Sequence, residues 1–434
     1  LKNNKYKIAF HTLGCKVNFA ESSYIAQKFK DAGYQIVSFN DKSDAYVINT
    51  CSVTHSAVKK SRNTINSILK KHPAAKIVIT GCITETEKEI INKIEGVGLI
   101  IGANEKNLLF DQLDALLKGD HQNDVILSNT ADSFFESYST DERTRAFVKV
   151  QDGCNYFCSY CVIPYARGRS RSSYIDDIAG NVEKIIKDGV KEIVITGINI
   201  GDFSNNKGET LYDLLATLSS LEGLKRLRLS SIEPDLLTDE IISLAANSAT
   251  IMPHFHLPLQ SGSDKILKAM NRKYDTAFFK RKINNIFERI PDCCIGTDLI
   301  VGFPGESETD FNDTLNFIND LPLSYIHVFP YSKRSLTKAA GLIDDNSPYL
   351  KKMKVKTLSD LSEKKKATFY ASQLNKTHKI LFESANNNGY INGFTENYIK
   401  VKAAYNKMLI NTIIEIKITD IDTDGLFVYN VKND

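Results

Sequence analysis

The sequence predicts an α/β multidomain protein: an N-terminal parallel α/β sheet domain, a central partial (βα)6 barrel and a small C-terminal antiparallel β-barrel. Three observations predict it. At 434 residues the chain exceeds what one compact core holds. Short β-branched runs alternate with helical patterns through two separate stretches, the mark of parallel sheets covered by helices. The last ~60 residues change to short alternating strands punctuated by Gly and Asn.

Composition narrows the class. Hydrophobic residues make up 42% and charged residues 25%, ordinary values for a soluble globular chain. No apolar run approaches the roughly 18 residues of a membrane helix. LKNNKYKIAFHTLGC is too short and too interrupted in its apolar part for a signal peptide, so a cytoplasmic location is expected, without a membrane partner. A net charge of +3 permits a nucleic-acid partner without demanding one. Eight cysteines are too sparse for a disulfide framework and read as thiols or metal ligands.

Residues 1–118 repeat one theme. KIAFHTLGC, AYVINTCSV and KIVITGCIT each read as a strand running into a loop that carries a cysteine, with helices predicted over 20–32 and 56–71. Cys15, Cys51 and Cys82 then stand just past the C-terminal ends of parallel strands, the edge where open α/β sheets bind ligands. Polar residues 119–143 read as a linker. Residues 144–370 hold six further strands, AFVKVQDG, EIVITGIN, LKRLRLSSI, MPHFHLPLQ, CIGTDLIVGF and YIHVFPYS, with helices over 176–188, 210–221, 264–270 and 308–320. Six βα units fall two short of a full barrel, and the site belongs at the C-terminal strand ends. A Lys-rich helix is predicted over 351–382. Residues 371–434 form the last domain, with GYINGFTENYIKVKAAY, LINTIIEIKITDID and GLFVYNVK as its strands.

DGCNYFCSYC places Cys154, Cys158 and Cys161 in one short loop, spaced C-x3-C-x2-C. A closed tetrahedral zinc site needs four ligands. Three cysteines instead suit three irons of a 4Fe–4S cluster and leave the fourth iron open, as catalytic metal sites require. Zinc and plain buried thiols are the weaker alternatives. Cys15, Cys51 and Cys82 are far apart in sequence, but neighbouring parallel strands lie about 4.8 Å apart, so their loops can converge on a second cluster; ordinary core cysteines are the alternative reading. Cys293 and Cys294 read as core. His11, His254 and His256 are more often structural than ligands.

The C-x3-C-x2-C loop with Tyr160 before its last cysteine resembles the signature of the radical S-adenosylmethionine superfamily. There the open iron chelates S-adenosylmethionine, whose reductive cleavage yields a 5′-deoxyadenosyl radical. A three-cysteine N-terminal domain, a radical core and a small final barrel similar to a TRAM domain resemble the methylthiotransferases over essentially the whole chain. CVIPYARGRSRS (161–172) resembles the MtaB type, which modifies threonylcarbamoyladenosine in tRNA. The resemblance implies that Cys15, Cys51 and Cys82 hold an auxiliary 4Fe–4S cluster carrying the sulfur to be inserted. It also implies a second S-adenosylmethionine as methyl donor, a low-potential electron donor of flavodoxin or ferredoxin type, a sulfur source, and the tRNA anticodon stem-loop as partner. Such cofactors carry chemistry that side chains cannot perform on an unactivated C–H bond.

Several strand-end motifs fit S-adenosylmethionine contacts: Thr196, Gly197 and Asn199 in TGINIG, Ser231 and Glu233 in SSIEP, Gln260 and Ser261 in PLQSGS, Asp298 in GTDLIVGFPGE, and Tyr160. YSKRSLTKAA departs from related sequences at Ser335-Leu336, in a loop expected near the substrate pocket. Arg167, Arg169 and Arg171 in ARGRSRS suit RNA phosphates, and Tyr398 and Tyr405 suit base stacking. Residues 371–434 contain seven Lys and seven acidic residues, so the Lys-rich helix is the stronger electrostatic footprint. A monomer is expected. The competing readings are the same chemistry on isopentenyladenosine or on a ribosomal protein aspartate, a non-catalytic iron–sulfur RNA-binding redox sensor, and a zinc-dependent RNA-binding protein.

Overall fold

A computed structural model of the chain describes residues 6–120, 124–126, 134–139, 144–387, 389–421 and 427–429. The chain opens with β1 (Lys7–Thr12), α1 (Lys16–Asp31), β2 (Gln35–Val37), β3 (Ala45–Thr50), α2 (His55–Lys71) and β4 (Lys76–Gly81). There follow α3 (Cys82–Thr86), α4 (Lys88–Ile91), β5 (Val97–Ile101), α5 (Leu109–Lys118) and β6 (Asp124–Ile126). The strands form one parallel sheet in the order β2-β1-β3-β4-β5-β6. Central β3 is buried at every residue, because both faces are covered. Ile8, Val47 and Val78 pack on Phe29 and Leu113, and on the other face Ile48, Ile77 and Ile79 pack on Ile65 and Ile68. Each such side chain contributes roughly 1.5–3 kcal/mol by burial.

The segment read as a linker is more ordered than a connector. It supplies β6 at the sheet edge, and β7 (Ser137–Tyr138) pairs antiparallel with the next strand. Residues 121–123, 127–133 and 140–143 lie outside the described residues.

The central unit comprises β8 (Arg145–Lys149), β9 (Gln151–Asp152), α6 (Ile163–Arg167), β10 (Arg171–Ser172), α7 (Ile175–Lys187), β11 (Glu192–Thr196), α8 (Leu211–Ser219) and β12 (Arg226–Leu229). It continues through α9 (Asp239–Asn247), β13 (His254–His256), α10 (Asp264–Ala269), α11 (Thr276–Arg289), β14 (Cys294–Val301), α12 (Glu308–Asp320) and β15 (Tyr325–Pro330). Six strands run parallel in the order β8-β11-β12-β13-β14-β15. Between β12 and β13 the link is thin: Leu227 bridges Ile251, with Leu227 N donating to Thr250 O at 2.8 Å. Capping boxes at Thr210 and Ser307 start α8 and α12. Among the described residues no pairing joins β15 back to β8, so the array stays open.

The predicted 351–382 helix is two elements. Ser347 caps α13 (Pro348–Ser372), with Pro348 in the first turn where its missing N–H does no harm. The helix ends before Asn375, which has φ +64°. The chain then enters β16 (Thr377–Asn387), because Ile380, Leu381 and Phe382 are buried in a sheet. β17 (Tyr390–Thr395), β18 (Lys400–Ala404), β19 (Ile413–Lys417) and β20 (Phe427–Tyr429) complete it in the order β19-β16-β17-β18-β20. Most pairs are antiparallel, but β20 runs parallel to β18. Of GLFVYNVK only Phe427–Tyr429 lies within the described residues.

Candidate active site

Three neighbouring strands of the first sheet end in cysteine-bearing loops. β1 runs through Gly14 to Cys15, which stands at the N-cap of α1; Cys51 follows β3; Cys82 opens α3 after β4. Because β1, β3 and β4 are adjacent and parallel, the three loops lie side by side. Gly14 has φ +101°, and a Cβ there would stand 2.8 Å from Cys51 Cβ. Buried Asn18 ties the loops together, donating to Leu13 O at 2.8 Å and Thr50 O at 3.0 Å. Cys15, Cys51 and Cys82 all line one cavity of about 1050 Å³. Burial raises the Cys15 thiol and pushes Cys51 up to about 11, and Cys82 adds to both shifts.

The opposite wall of that cavity is the C-terminal edge of the central array: Thr196, Gly197, Ser230, Ser231, His256, Asp298 and His327. Phe394 and Tyr398 of the last sheet, with Phe369 and Tyr370 of α13, close another side. Three units of the chain thus meet around one space.

The second cysteine loop lies between β9 and α6. Ser159 Oγ donates to Ala269 O at 2.8 Å, and Asn271 Nδ2 donates to Phe157 O at 3.2 Å. Burial pushes Cys154 up to about 11 and Cys161 to about 12, with Cys158 adding to both, and it raises Cys158 against the opposing charge of Arg272. Protonated in isolation, these sulfurs ionise once a metal supplies the countercharge. Three soft donors in each set, without a fourth among the described residues, fit the open-iron cluster better than a closed zinc site.

The candidate S-adenosylmethionine contacts divide. Asn199 is 3% exposed, yet neither atom of its side-chain amide has a protein partner among the described residues, and the Ser230 hydroxyl is likewise unpaired. Buried orphans of this kind fit a polar ligand. Ser231 is exposed to the cavity beside Thr196 and Gly197. Tyr160, within the cysteine loop, has its hydroxyl 3.4 Å from Arg272 Nη1. Glu233 pairs with Arg272, and Gln260 takes φ +77° at a turn. Ser261 departs from its expected role: it is 1% exposed, accepts from Ser263 N at 3.2 Å and meets Thr314 Oγ1 at 3.5 Å, so its hydroxyl supports the turn before α10. Asp298 sits between His256 Nε2 at 3.0 Å and His327 Nδ1 at 3.3 Å, which hold its carboxyl well below the usual range. Tyr325 OH bridges His256 and His254 at 3.1 and 3.0 Å. Cys293 and Cys294 are buried, as their sequence context predicts.

The arginine run needs correction. Arg167 is 0% exposed and bound to Asp152 at 2.9 Å and Glu21 at 3.1 Å. Arg171 is directed inward to Asn104 at 2.8 Å and Asp152 at 3.4 Å. The end of α6 turns Arg167 toward the first domain, where Glu21 requires cations, and β10 aims Arg171 at Asn104 of that domain. Only Arg169 is exposed, stacked 4.6 Å above Phe157. Tyr398 is partly buried, between His254 at 4.7 Å and Phe394 at 5.0 Å. Tyr405 is exposed. Two α13 lysines serve shielded ion pairs, Lys351 with Asp344 and Lys354 with Glu306, each at 2.6 Å, while Lys356 meets Asp360 at 2.6 Å on the exposed helix surface. The Ser335-Leu336 loop does not line the cavity; its Arg334 reaches Glu87 of the first domain at 2.9 Å.

The comparisons agree with this geometry. Residues 7–102 match the model described as Uncharacterized protein family UPF0004, and residues 148–318 match the Radical SAM superfamily. The threonylcarbamoyladenosine tRNA methylthiotransferase MtaB of Aquifex aeolicus (strain VF5) is 39% identical, over 91% of this chain and 96% of its own. Its namesake in Bacillus subtilis (strain 168) is 37% identical, over 98% and 97%. The chain belongs to the radical S-adenosylmethionine methylthiotransferase family. A tRNA-2-methylthio-N(6)-dimethylallyladenosine synthase of Clostridium tetani is 31% identical over 96% of the methylthiotransferase chain and 95% of its own. In fold alone, the methylthiotransferase is similar to the radical S-adenosylmethionine methyltransferase TsrM of Kitasatospora setae (TM-score 0.54, 13% identity, 75% and 72% of the two chains). The same holds for the cobalamin-dependent radical enzyme OxsB (TM-score 0.53, 11% identity, 82% and 56%).

Sequence reasoning passes over Arg272 in MNRKYD, since no local spacing marks it. In the methylthiotransferase its Nη1 lies 3.2 Å from Cys158 Sγ while the same guanidinium pairs with Glu233 and donates to Pro258 O at 3.0 Å. It joins the Cys158 sulfur to the strand-end carboxylate of Glu233. Lys106 and Lys149, both buried around Glu21, have no sequence signal either.

Proposed function

We propose that the protein inserts sulfur at carbon 2 of threonylcarbamoyladenosine in tRNA (adenosine-37, 3′ of the anticodon) and methylates it to the 2-methylthio derivative. One observation carries the reading. Cys15, Cys51 and Cys82 open onto the cavity that also receives the strand ends of the central array. Cys154, Cys158 and Cys161 do not themselves line it, but the strand ends beside their loop do, so sulfur delivery and radical generation can act on one target there. The 39% and 37% identities with relatives of that name support the substrate.

When bound, two 4Fe–4S clusters and S-adenosylmethionine supply the radical, the sulfur and the methyl group. The chain's own residues hold and orient. Cys154, Cys158 and Cys161 hold the radical cluster, and Cys15, Cys51 and Cys82 the auxiliary one. Arg272 donates to Cys158 and fixes Glu233. Tyr160, Thr196, Gly197, Asn199, Ser231, Glu233, Gln260 and Asp298 hold S-adenosylmethionine on the rim of a partial (βα)6 barrel. The last sheet acts as a TRAM-like RNA-binding barrel, with Phe394 and Tyr398 facing the flipped base and Arg169 a phosphate. A low-potential reductant and a sulfur source complete the partners. We place the enzyme in the cytoplasm as a monomer; among the described residues no helix is long and apolar enough to cross a membrane.

The test begins with anaerobic reconstitution and iron and sulfide counting. The Cys154→Ala/Cys158→Ala/Cys161→Ala variant is expected to retain half of the wild-type iron. Incubated with S-adenosylmethionine and reductant, the wild type is expected to convert threonylcarbamoyladenosine tRNA to its 2-methylthio form, read by nucleoside mass spectrometry. Product from dimethylallyladenosine tRNA alone would move the assignment to that substrate, and wild-type iron that vanishes entirely in the variant would remove the second cluster.

A further inference from the structure

Lys16 has no task in the chemistry above. It follows Cys15, opens α1 and is exposed to the shared cavity. Its ammonium lies 5.9 Å from the Phe147 ring, and the charges acting on it are Arg228 and Arg145, then Glu192. Glu192 already serves Arg228 at 3.1 Å, Arg226 at 3.5 Å and Arg145 at 3.9 Å. Arg145 also holds Glu383, and Glu396 acts on Arg226. Four cations therefore face three carboxylates in this corner, and Lys16 is the one without an ion-pair partner among the described residues. An ammonium crowded by like charges in a partly desolvated wall is a site for an anion.

The same wall carries flat surfaces. Tyr398 is stacked under Arg228 at 4.7 Å and beside Phe394, and both rings line the cavity. A planar base with an anionic arm matches this arrangement better than a planar base with a hydrocarbon arm.

We propose that Lys16 binds the free carboxylate of the substituent on N6 of the target adenosine, and that it is a specificity-determining residue for carboxylate-bearing bases. The inference rests on threonylcarbamoyladenosine as substrate. Carbon 2 and carbon 6, the ring atom that carries the exocyclic N6, belong to one six-membered ring. A group that meets the substituent must therefore stand about a side chain's length from the group that meets carbon 2. Lys16, next in sequence to Cys15, stands there. The same anion chemistry belongs to the RNA backbone phosphate, so the test must separate the two sources.

Binding is measured on the reconstituted holoenzyme with three anticodon stem-loop RNAs. They are identical except at the target base, which is threonylcarbamoyladenosine, its carboxyl methyl ester, or plain adenosine. The wild type is expected to prefer the acid. Lys16→Met is expected to weaken acid binding about 10- to 100-fold, the range of a charged hydrogen bond, and to leave the ester and plain RNAs unchanged. Lys16→Arg keeps most of the preference, and unchanged iron content and circular dichroism show both variants folded. Equal loss on all three RNAs would assign Lys16 to a phosphate and overturn the proposal. So would undiminished acid binding, or a wild type indifferent between acid and ester. Methylthio product from dimethylallyladenosine RNA alone would instead overturn the substrate reading, a separable failure.

Discussion

Arg167 shows how strongly a side chain's task depends on what faces it. In the sequence it is the first of three arginines and reads as a phosphate contact; in the fold it is wholly enclosed with Glu21, Asp152, Lys149 and Lys106. Glu21 comes from the first domain and Asp152 from the second, so Arg167 locks the two together. Without Arg167, Glu21 and Asp152 keep Lys106, Lys149 and Arg171 as countercharges but lose its hydrogen bonds, at about 1–3 kcal/mol for a buried acceptor left unpaired. Arg167→Met is expected to lower stability by that order, read as a shifted urea midpoint by far-ultraviolet circular dichroism; a shift below about 1 kcal/mol would show the cluster to be inconsequential. The pH dependence has a definite sign. Their cationic neighbours hold Glu21 and Asp152 below the usual carboxylate range. Their contribution is therefore present above about pH 4 and is lost as the pH falls further. The Cys154–Cys161 loop stands out in the sequence because its spacing is local, and Cys15, Cys51 and Cys82 because each follows a strand. Arg167, Arg272 and Lys106 do not stand out, because their partners come from distant segments and no pattern in the chain records a buried pairing.

At the scale of the element, strands and helices of the first two units follow from β-branched runs, amphipathic periods and caps. The error at 351–382 has a physical cause. Lys-rich α13 and the opening THK of β16 carry similar charge, while the signals of change are weak: Asn375 at positive φ and the apolar triplet Ile380–Phe382. The element that matters most to the site is the turn from β1 into α1. Gly14 lets that turn pass over Cys51, and any side chain there meets both a strained φ and the Cys51 Cβ at 2.8 Å and Sγ at 3.0 Å. Gly14→Ala is expected to shift the Cys15 and Cys51 loops apart and to lose the auxiliary half of the iron while sparing the radical cluster. Gly180→Ala, whose Cβ meets nothing within 4 Å, should keep all of it. Iron and sulfide analysis with electron paramagnetic resonance checks the pair, and full iron in Gly14→Ala would show that the turn has slack.

For the whole molecule, the contents of the three units were legible but their facing was not, because each interface is built from long-range polar contacts. The first unit meets the second through the Glu21–Arg167 cluster and through Arg334 to Glu87. The last sheet meets the array through a different device. Arg226 of β12 donates to the carbonyls of Phe394, at 3.0 Å, and Lys379. Its charge is balanced by Glu192 behind it. The sheet has its own core, with Ile380, Phe382, Ile391, Val401 and Phe427 packed together, so undocking it need not unfold it. Arg226→Met removes the donor and leaves those carbonyls to water or unpaired, at about 1–3 kcal/mol for each one kept dry. The expected result is a folded but undocked sheet. Protease sensitivity should rise in the turn between α13 and β16, hydrogen exchange should quicken at β17 near Phe394, and core amides of β16 should stay protected. The cavity loses its Phe394 and Tyr398 wall in the same event, so affinity for an anticodon stem-loop should fall together with the appearance of the protease-sensitive turn. Unchanged protection at both places would mean that packing alone, without the Arg226 contacts, holds the sheet on the cavity.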